Sequence, residues 1–321
     1  MKLIILIPAF NEAEKISSVI GTMPRSLPQI DEIEIIVVDD GSKDETANLA
    51  RVAGATVISH FRNMGVGQAF HTGLQAALNS GADVLVNIDA DGQFDSNDIL
   101  PLLQPILDKK ADFVSGDRFT TDDGAAQRPD YMSAIKFWGN KRMSDLIGFI
   151  VGHRFPDVSC GFRAYSKEAM LKLNLTGKFT YTQESFLDLA NKGVMMKSVP
   201  VKVRYFPERK SRVAGSISKY MFQTIKIIIR AYRDYRPMRF FGLLGLPLVI
   251  IGVLMGIFVL THYFIHGAFS PYIFLAFGAV YLFSFGILMW LIGLLADMFV
   301  RLRLNQEQLI YNDKKQRYDK E

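Results

Sequence analysis

The chain has 321 residues, 49% of them hydrophobic and 21% charged; this length allows one large domain or two smaller ones, and the composition excludes a disordered or fibrous chain. Residues 1–200 carry 20 Lys/Arg against 25 Asp/Glu, a net of −5, whereas residues 201–321 carry 17 against 7, a net of +10. The basic excess accompanies the longest apolar runs, so anionic lipid headgroups are its expected partner and no nucleic acid is.

Leu3 to Phe10 is apolar but is stopped at once by Asn11-Glu12, with no small-residue cleavage pattern, so it reads as a buried strand and not as a signal peptide. The strand is expected over Lys2–Ile7, ended by Pro8. Glu12–Met23 has helical spacing, with Ile16, Val19, Ile20 and Met23 on one face. Glu34–Val38 is a second strand, ended by Asp39-Asp40-Gly41-Ser42, and Asp44–Ala53 a helix that Ser42 or Asp44 can cap. A strand at Thr56–Ser59, a helix at Gly65–Asn79, a strand at Asp83–Ile88, a helix at Ser96–Asp108 and a strand at Asp112–Ser115 continue the alternation. Such alternation predicts an α/β fold: a parallel sheet with helices on both faces. Ligands bind beyond the carboxyl ends of such strands, so Asp39-Asp40 and Asp89–Asp91 are expected to share one cleft.

Beyond residue 118 the pattern loosens. Thr120–Asp130 reads as a mobile polar loop, Tyr131–Ile150 and Thr180–Ala190 as helices, and the region near Met195–Tyr205 as a strand. Cys160 is the only cysteine, which rules out an intrachain disulfide and fits a reducing compartment. Glu208–Gly215 is a basic stretch that contains Gly and Ser and breaks the pattern. In Ile217–Tyr235, Ile217, Met221, Ile225, Ile228 and Tyr232 fall on one helical face and Lys219, Lys226, Arg230 and Arg233 on the other. Such a helix can lie in a membrane interface or pack on a globular domain; the nearby apolar segment favours the interface.

Phe240–Tyr263 and Tyr272–Val300 each exceed the roughly 20 residues that span a bilayer as a helix. Arg230, Arg233, Arg236 and Arg239 precede the first, Arg301 and Arg303 follow the second, and the loop from His262 to Pro271 has no Lys or Arg. The positive-inside rule then places both flanks, both termini and the N-terminal domain in the cytoplasm and the loop outside. The tail from Asn305 is polar and expected to be partly disordered. The domain plan is 1–210 globular, 211–238 a basic interface segment, 239–301 two spans and 302–321 a polar tail.

Asp89-Ala90-Asp91-Gly92-Gln93 follows the apolar run Val84–Ile88. Two carboxylates at i and i+2 past a strand end can share a divalent cation, and Gln93 adds a carbonyl oxygen; hard oxygen ligands suit Mg²⁺ or Mn²⁺, with phosphates completing the shell. The alternative is a solvated turn. Asp39 or Asp40 can accept from a base N–H or a ribose hydroxyl, or can serve as a helix-capping turn. Pro8 through Glu12 lies beside this position and can wall the base. Asn63-Met64-Gly65-Val66-Gly67-Gln68 has Phe70 where a dinucleotide fingerprint needs a third glycine, so it reads as a close backbone approach or a tight helix start. His60, His71 and His153 lack metal-ligand spacing and receive no role.

Taken together and in order, Pro8-Ala9-Phe10-Asn11-Glu12, Val37-Val38-Asp39-Asp40-Gly41-Ser42-Lys43-Asp44, Asn63-x-Gly65-x-Gly67 and Asp89-Ala90-Asp91-Gly92-Gln93 resemble glycosyltransferase family 2, with its GT-A fold. The branch that carries C-terminal membrane helices, the dolichyl- and polyprenyl-phosphate sugar synthases, is the most similar. Gly116-Asp117-Arg118-Phe119, Asp157-x-Ser159-Cys160-Gly161-Phe162-Arg163, Gln183-Glu184 and Pro200-Val201 also match. The resemblance covers residues 3–300. It implies a donor-binding set of Pro8, Asn11, Glu12, Asp39, Asp40, Asp89, Ala90, Gln93 and Arg212, a metal set of Asp89, Asp91 and Gln93, and a catalytic set of Asp91, Arg118 and Asp157. Arg118 matches an arginine used near the acceptor phosphate. The family's R-x-x-G-x-S-K run is one residue longer here, from Arg212 to Lys219.

The chemistry agrees. A nucleoside diphosphate leaving group needs positive charge, and an acceptor phosphate is already an anionic nucleophile. Arg118, Arg128, Lys136, Arg209 and Arg212 are candidates to position it. Asp157 can orient the sugar, act as a base or hold a turn, and Glu184 has the same standing. The expected activity is inverting transfer of a hexose from a UDP- or GDP-sugar to undecaprenyl or dolichyl phosphate at the cytoplasmic face, with self-association a possibility. A processive polysaccharide synthase would need Q-x-x-R-W; the chain's two tryptophans, Trp138 and Trp290, are not preceded by it. A non-catalytic nucleotide-binding membrane module is the remaining alternative.

Overall fold

In a computed structural model, which describes residues 1–121, 124–175, 181–204, 229–230 and 232–318, seven strands form one sheet. They are β1 (Lys2–Ala9), β2 (Glu32–Asp39), β3 (Thr56–Ser59), β4 (Val84–Asn87), β5 (Phe113–Asp117), β6 (Arg163–Ser166) and β7 (Met196–Pro200), in the order β3-β2-β1-β4-β6-β5-β7. All pairs are parallel except those of β6, which runs antiparallel to both β4 and β5. The sequence predicts the parallel strands but not β6: Arg-Ala-Tyr-Ser is short, polar at both ends and without a two-residue apolar alternation.

The helices are α1 (Ile16–Thr22), α2 (Thr46–Val52), α3 (Val66–Asn79), α4 (Ile99–Leu107), α5 (Ala134–Val151), α6 (Lys167–Lys172) and α7 (Tyr181–Asn191). Leu3 through Ile7 are all fully buried because β1 is covered on both faces. Leu3, Ile5 and Ile7 share a core with Ile16 and Ile20 of α1 and Leu102 and Leu103 of α4, while α3 packs on β1 and β2. β1 continues through Pro8, where the sequence predicts its end. Even-numbered residues of β1 face β4, as the Ile88 N–H to Leu6 carbonyl bond shows, and that ladder ends at Leu6 and Asn87. The missing N–H of Pro8 therefore falls beyond the last rung and costs no ladder bond. Asp44, not Ser42, serves the start of α2: its Oδ1 accepts from the Thr46 N–H at 3.2 Å, and Ser42 Oγ accepts from the Asn11 N–H at 2.9 Å.

The described chain falls into two units, Met1–Lys210 with Tyr311–Glu321, and Ser211–Ile310. In the second, the helix Pro237–His266 and the helix that starts at Ile273 are long and apolar enough to cross a membrane. They pack through small residues: a Cβ at Gly245 would lie 2.7 Å from the Gly286 carbonyl oxygen, and one at Gly252 would lie 2.9 Å from that of Ala279. Backbones approach this closely only where side chains are absent, the usual means of holding helices together in lipid. The Ile217–Tyr235 helix expected from sequence lies mostly outside the described residues.

The second apolar helix does not give way to a disordered tail at Asn305 but continues to Tyr318. Ion pairs at i, i+4 spacing support the extension, Arg303 with Glu307 at 2.7 Å and Asp313 with Arg317 at 3.3 Å. Within the first unit its last turns dock on α6. The Tyr311 hydroxyl donates to the Glu168 carboxylate at 2.9 Å, and Lys314 Nζ donates to the Leu173 carbonyl at 2.9 Å.

Candidate active site

The sheet order reverses direction at β1: β2 and β3 lie to one side and β4 to the other. The carboxyl ends of β2, β1 and β4 are thus adjacent at a topological switch point, where ligands of such sheets bind. Antiparallel β6 starts at this same edge, so the segment 157–161 that feeds it arrives there too, next to the end of β5. The fold thereby gathers Pro8–Glu12, Asp39-Asp40, Asp89–Gln93, Asp117-Arg118 and Asp157.

On the β1–β2 side a mesh of bonds fixes the two loops. Asn11 adopts a left-handed conformation, φ +52°, and its Oδ1 accepts from the Lys43 N–H at 2.8 Å. The Glu12 N–H donates to Thr46 Oγ1 at 2.8 Å. Asp39 Oδ1 accepts from the Ser42 N–H at 3.1 Å; among the described residues its second oxygen has no bonding partner. Asp40 is engaged through both oxygens: Oδ1 accepts from the Met64 N–H at 2.9 Å and meets His60 Nδ1 at 2.7 Å, and Oδ2 accepts from the Gly65 N–H at 2.8 Å. His60 Nε2 in turn meets Thr72 Oγ1 at 2.9 Å. Asp40 therefore shapes the glycine loop, while Asp39, at the end of β2, keeps one oxygen unbonded among the described residues. The role of His60 has no signature in the sequence, because its two partners, Asp40 and Thr72, lie in separate segments.

At the end of β4, Asp91 Oδ1 accepts from the Gln93 N–H at 3.0 Å, the bond of a tight Asp turn. Gly92 takes φ +70° there. Asp89 lies against Gly161, where a Cβ would sit 2.9 Å from Asp89 Oδ2. The Gln93 carbonyl accepts from the Arg204 N–H at 2.8 Å, so the chain after β7 returns to this loop. Asp89, Asp91 and Gln93 lie on one loop past β4, and their hard oxygens could hold Mg²⁺ or Mn²⁺ if phosphate oxygens completed the shell. Among the described residues no three His, Cys, Asp or Glu side chains gather at one point. Ala90 is buried between the two carboxylates.

Arg118 and Asp157 form the other half. Arg118 donates from Nε to Asp157 Oδ2 at 2.6 Å and from Nη2 to Oδ1 at 3.0 Å, a bidentate pair, and Asp157 is fully buried. Asp157 Oδ1 also accepts from the Ser159 N–H at 2.9 Å. Asp157 is thus a clamp that fixes the guanidinium, not an available base. Lys136, an exposed residue, stands near: partial desolvation and then the charge of Arg118 lower its pKa. Arg128 is exposed, Glu184 lies in the first turn of α7, and Arg209 and Arg212 lie outside the described residues. Burial pushes the Cys160 thiol up to about 12, so it is no nucleophile near neutrality.

Burial also raises the Asp117 carboxyl above its ordinary value, with the charge of Asp157 adding to the effect. A carboxyl raised in the folded state contributes most below the ordinary carboxylate range, and the contribution is lost as pH rises through the raised value. Asp117→Asn keeps an acceptor for the Phe119 N–H, which is bonded at 2.8 Å. The variant is expected to match the native chain in thermal stability at acid pH and to exceed it increasingly towards neutrality. A Tm series over pH checks the sign.

The family model for glycosyl transferase family 2 matches residues 4–173, more than half of the chain. The glycosyltransferase AglJ of Haloferax volcanii is 29% identical over 95% of this chain and 95% of its own length. The UDP-N-acetylglucosamine–dolichyl-phosphate N-acetylglucosaminyltransferase of Methanococcus voltae is 32% identical over 63% of this chain and 85% of its own. Among solved structures, glucosyl-3-phosphoglycerate synthase of Mycobacterium tuberculosis, in complex with Mn²⁺, UDP and phosphoglyceric acid, shares the fold with a TM-score of 0.52 at 21% identity, covering 71% of this chain and 78% of that one. The GT-A arrangement, the motif order and the family match agree: the chain belongs to glycosyl transferase family 2.

Proposed function

We propose that the protein transfers a hexose from a UDP- or GDP-sugar to a polyprenyl phosphate at the cytoplasmic face of a membrane, with inversion at the anomeric carbon. An oxygen of the lipid phosphate attacks the anomeric carbon; the bond from that carbon to the nucleoside diphosphate breaks, and the diphosphate leaves with the electron pair. Asp39 and the Pro8–Glu12 wall hold the nucleoside. Asp89, Asp91 and Gln93 hold Mg²⁺ or Mn²⁺, which when bound supplies positive charge to the leaving diphosphate. Arg118 and Lys136 receive the acceptor phosphate, and Asp157 keeps Arg118 aimed.

The observation that carries this reading is the state of Asp157, buried with both oxygens committed to Arg118. A hydroxyl acceptor would need a free base to remove its proton; an anionic phosphate needs a fixed cation, which is what stands there. The two apolar helices supply the lipid setting, and the basic flanks support an orientation with the catalytic residues, residues 1–210, on the cytoplasmic side. The Methanococcus relative, whose name specifies a dolichyl-phosphate acceptor, supports the same acceptor class.

The donor and the stereochemistry are tested together. The full chain in lipid nanodiscs is supplied with polyprenyl phosphate and a panel of UDP- and GDP-sugars, and the product is examined by NMR. One preferred donor and an inverted anomeric configuration are expected; retained configuration would contradict the single displacement.

A further inference from the structure

Arg163 is fully buried at the start of β6, in register with Asn87 of β4 and Ser115 of β5. Its Nε donates to the Cys160 carbonyl at 2.7 Å and its Nη2 to the Val158 carbonyl at 3.0 Å. The guanidinium lies over the rings of Phe186, Phe113 and Tyr181, at 4.8, 5.6 and 5.9 Å from their centroids. Its Nη1 makes no hydrogen bond, and among the described residues no carboxylate pairs with it. A buried guanidinium without a counter-charge is costly, and two carbonyls and three ring faces are what compensate it.

What Arg163 grips is the segment 157–161, and both ends of that segment touch the site. At one end Asp157 clamps Arg118. At the other, Gly161 lies against the Asp89 carboxylate with no room for a methyl group, and its carbonyl accepts from Asn87 Nδ2 at 2.8 Å. Asn87 Nδ2 also donates to the Tyr181 hydroxyl at 3.2 Å, so the ring under the guanidinium joins the same network. One buried cation thus sits beneath both halves of the site.

We propose that Arg163 is a positioning residue: by holding the Val158 and Cys160 carbonyls it sets the spacing between Asp89 and Arg118. On the reading given under Proposed function, on which this rests, that is the spacing between the donor diphosphate and the acceptor phosphate. A lysine in its place keeps the charge but lacks the planar fork that reaches two carbonyls at once.

The test uses the full chain in nanodiscs and three variants, Arg163→Lys, Arg163→Met and Gly161→Ala. Four quantities are measured: Tm, Mn²⁺-dependent affinity for UDP and GDP, acceptor KM, and kcat. Arg163→Lys is expected to weaken nucleotide affinity and raise acceptor KM together, each by about tenfold, as supporting partners of a metal site do. Arg163→Met should be worse in both, so that Lys is a partial rescue. Gly161→Ala should weaken only the nucleotide affinity, because its added methyl meets Asp89 and not Arg118. A lowered Tm in the Arg163 variants, with both constants native in the folded fraction, would reduce Arg163 to a structural role and overturn the proposal. If neither Arg163 variant folds, Gly161→Ala decides, and native nucleotide affinity there overturns it. If the native chain makes no lipid-linked product, the functional reading fails, while the nucleotide-affinity measurements still decide the role of Arg163.

Discussion

Asp91→Asn is expected to abolish Mn²⁺-dependent nucleotide binding and to lower sugar transfer by about 10³-fold or more, the scale of removing charge stabilisation from a leaving group. Asn is more informative than Ala here. Its side-chain oxygen can still accept from the Gln93 N–H, which Asp91 Oδ1 holds at 3.0 Å, so the turn after β4 survives and only the charge is removed. Tm is therefore expected to stay near the native value, since Asp91 is neither buried nor part of the core. Calorimetric titration with nucleotide in the presence and absence of Mn²⁺, beside a Tm measurement, separates the two effects. A variant that keeps metal-dependent binding would remove Asp91 from the metal site.

Arg118→Ala is expected to fail in two ways. It leaves Asp157 ionised and fully buried without its cation, which costs about 3–5 kcal/mol of stability. On the proposed function it also removes the group that receives the acceptor phosphate. The double variant Arg118→Leu with Asp157→Asn separates these losses: with neither charge present, much of the stability should return, while transfer should not. Recovery of both stability and transfer in the double variant would show that Arg118 serves only to neutralise Asp157. Urea unfolding and acceptor KM are the two measurements.

The gathering of Pro8–Glu12, Asp39-Asp40 and Asp89–Gln93 at one sheet edge was legible in the sequence because parallel α/β units impose a rule. Apolar runs mark the strands, and the polar residues just past Ala9, Asp39 and Asn87 must then meet at one edge. The acceptor half was less legible. Arg118 was reached through its resemblance to a family motif, and among the roles open to Asp157 its bidentate pairing with Arg118 was not one. That pairing depends on β6, an antiparallel insertion that joins β4 to β5 and carries no strand pattern of its own. The Asp40–His60–Thr72 chain was hidden for a similar reason, since hydrogen bonds between loops leave no periodicity. The helical tail to Tyr318 was missed because a polar sequence does not reveal the docking partner, α6, that orders it. Arg212 and the basic run around it fall outside the described residues, so their part in the site stands on the motif alone.

On the proposed function, a lipid phosphate accepts the sugar. The most direct measurement incubates the full chain with Mn²⁺ or Mg²⁺, a panel of UDP- and GDP-sugars, and either undecaprenyl or dolichyl phosphate, and follows label into the lipid phase. The account predicts a lipid-linked sugar that requires the metal and disappears in Asp91→Asn. Tight metal-dependent nucleotide binding with no lipid product from any donor would contradict it.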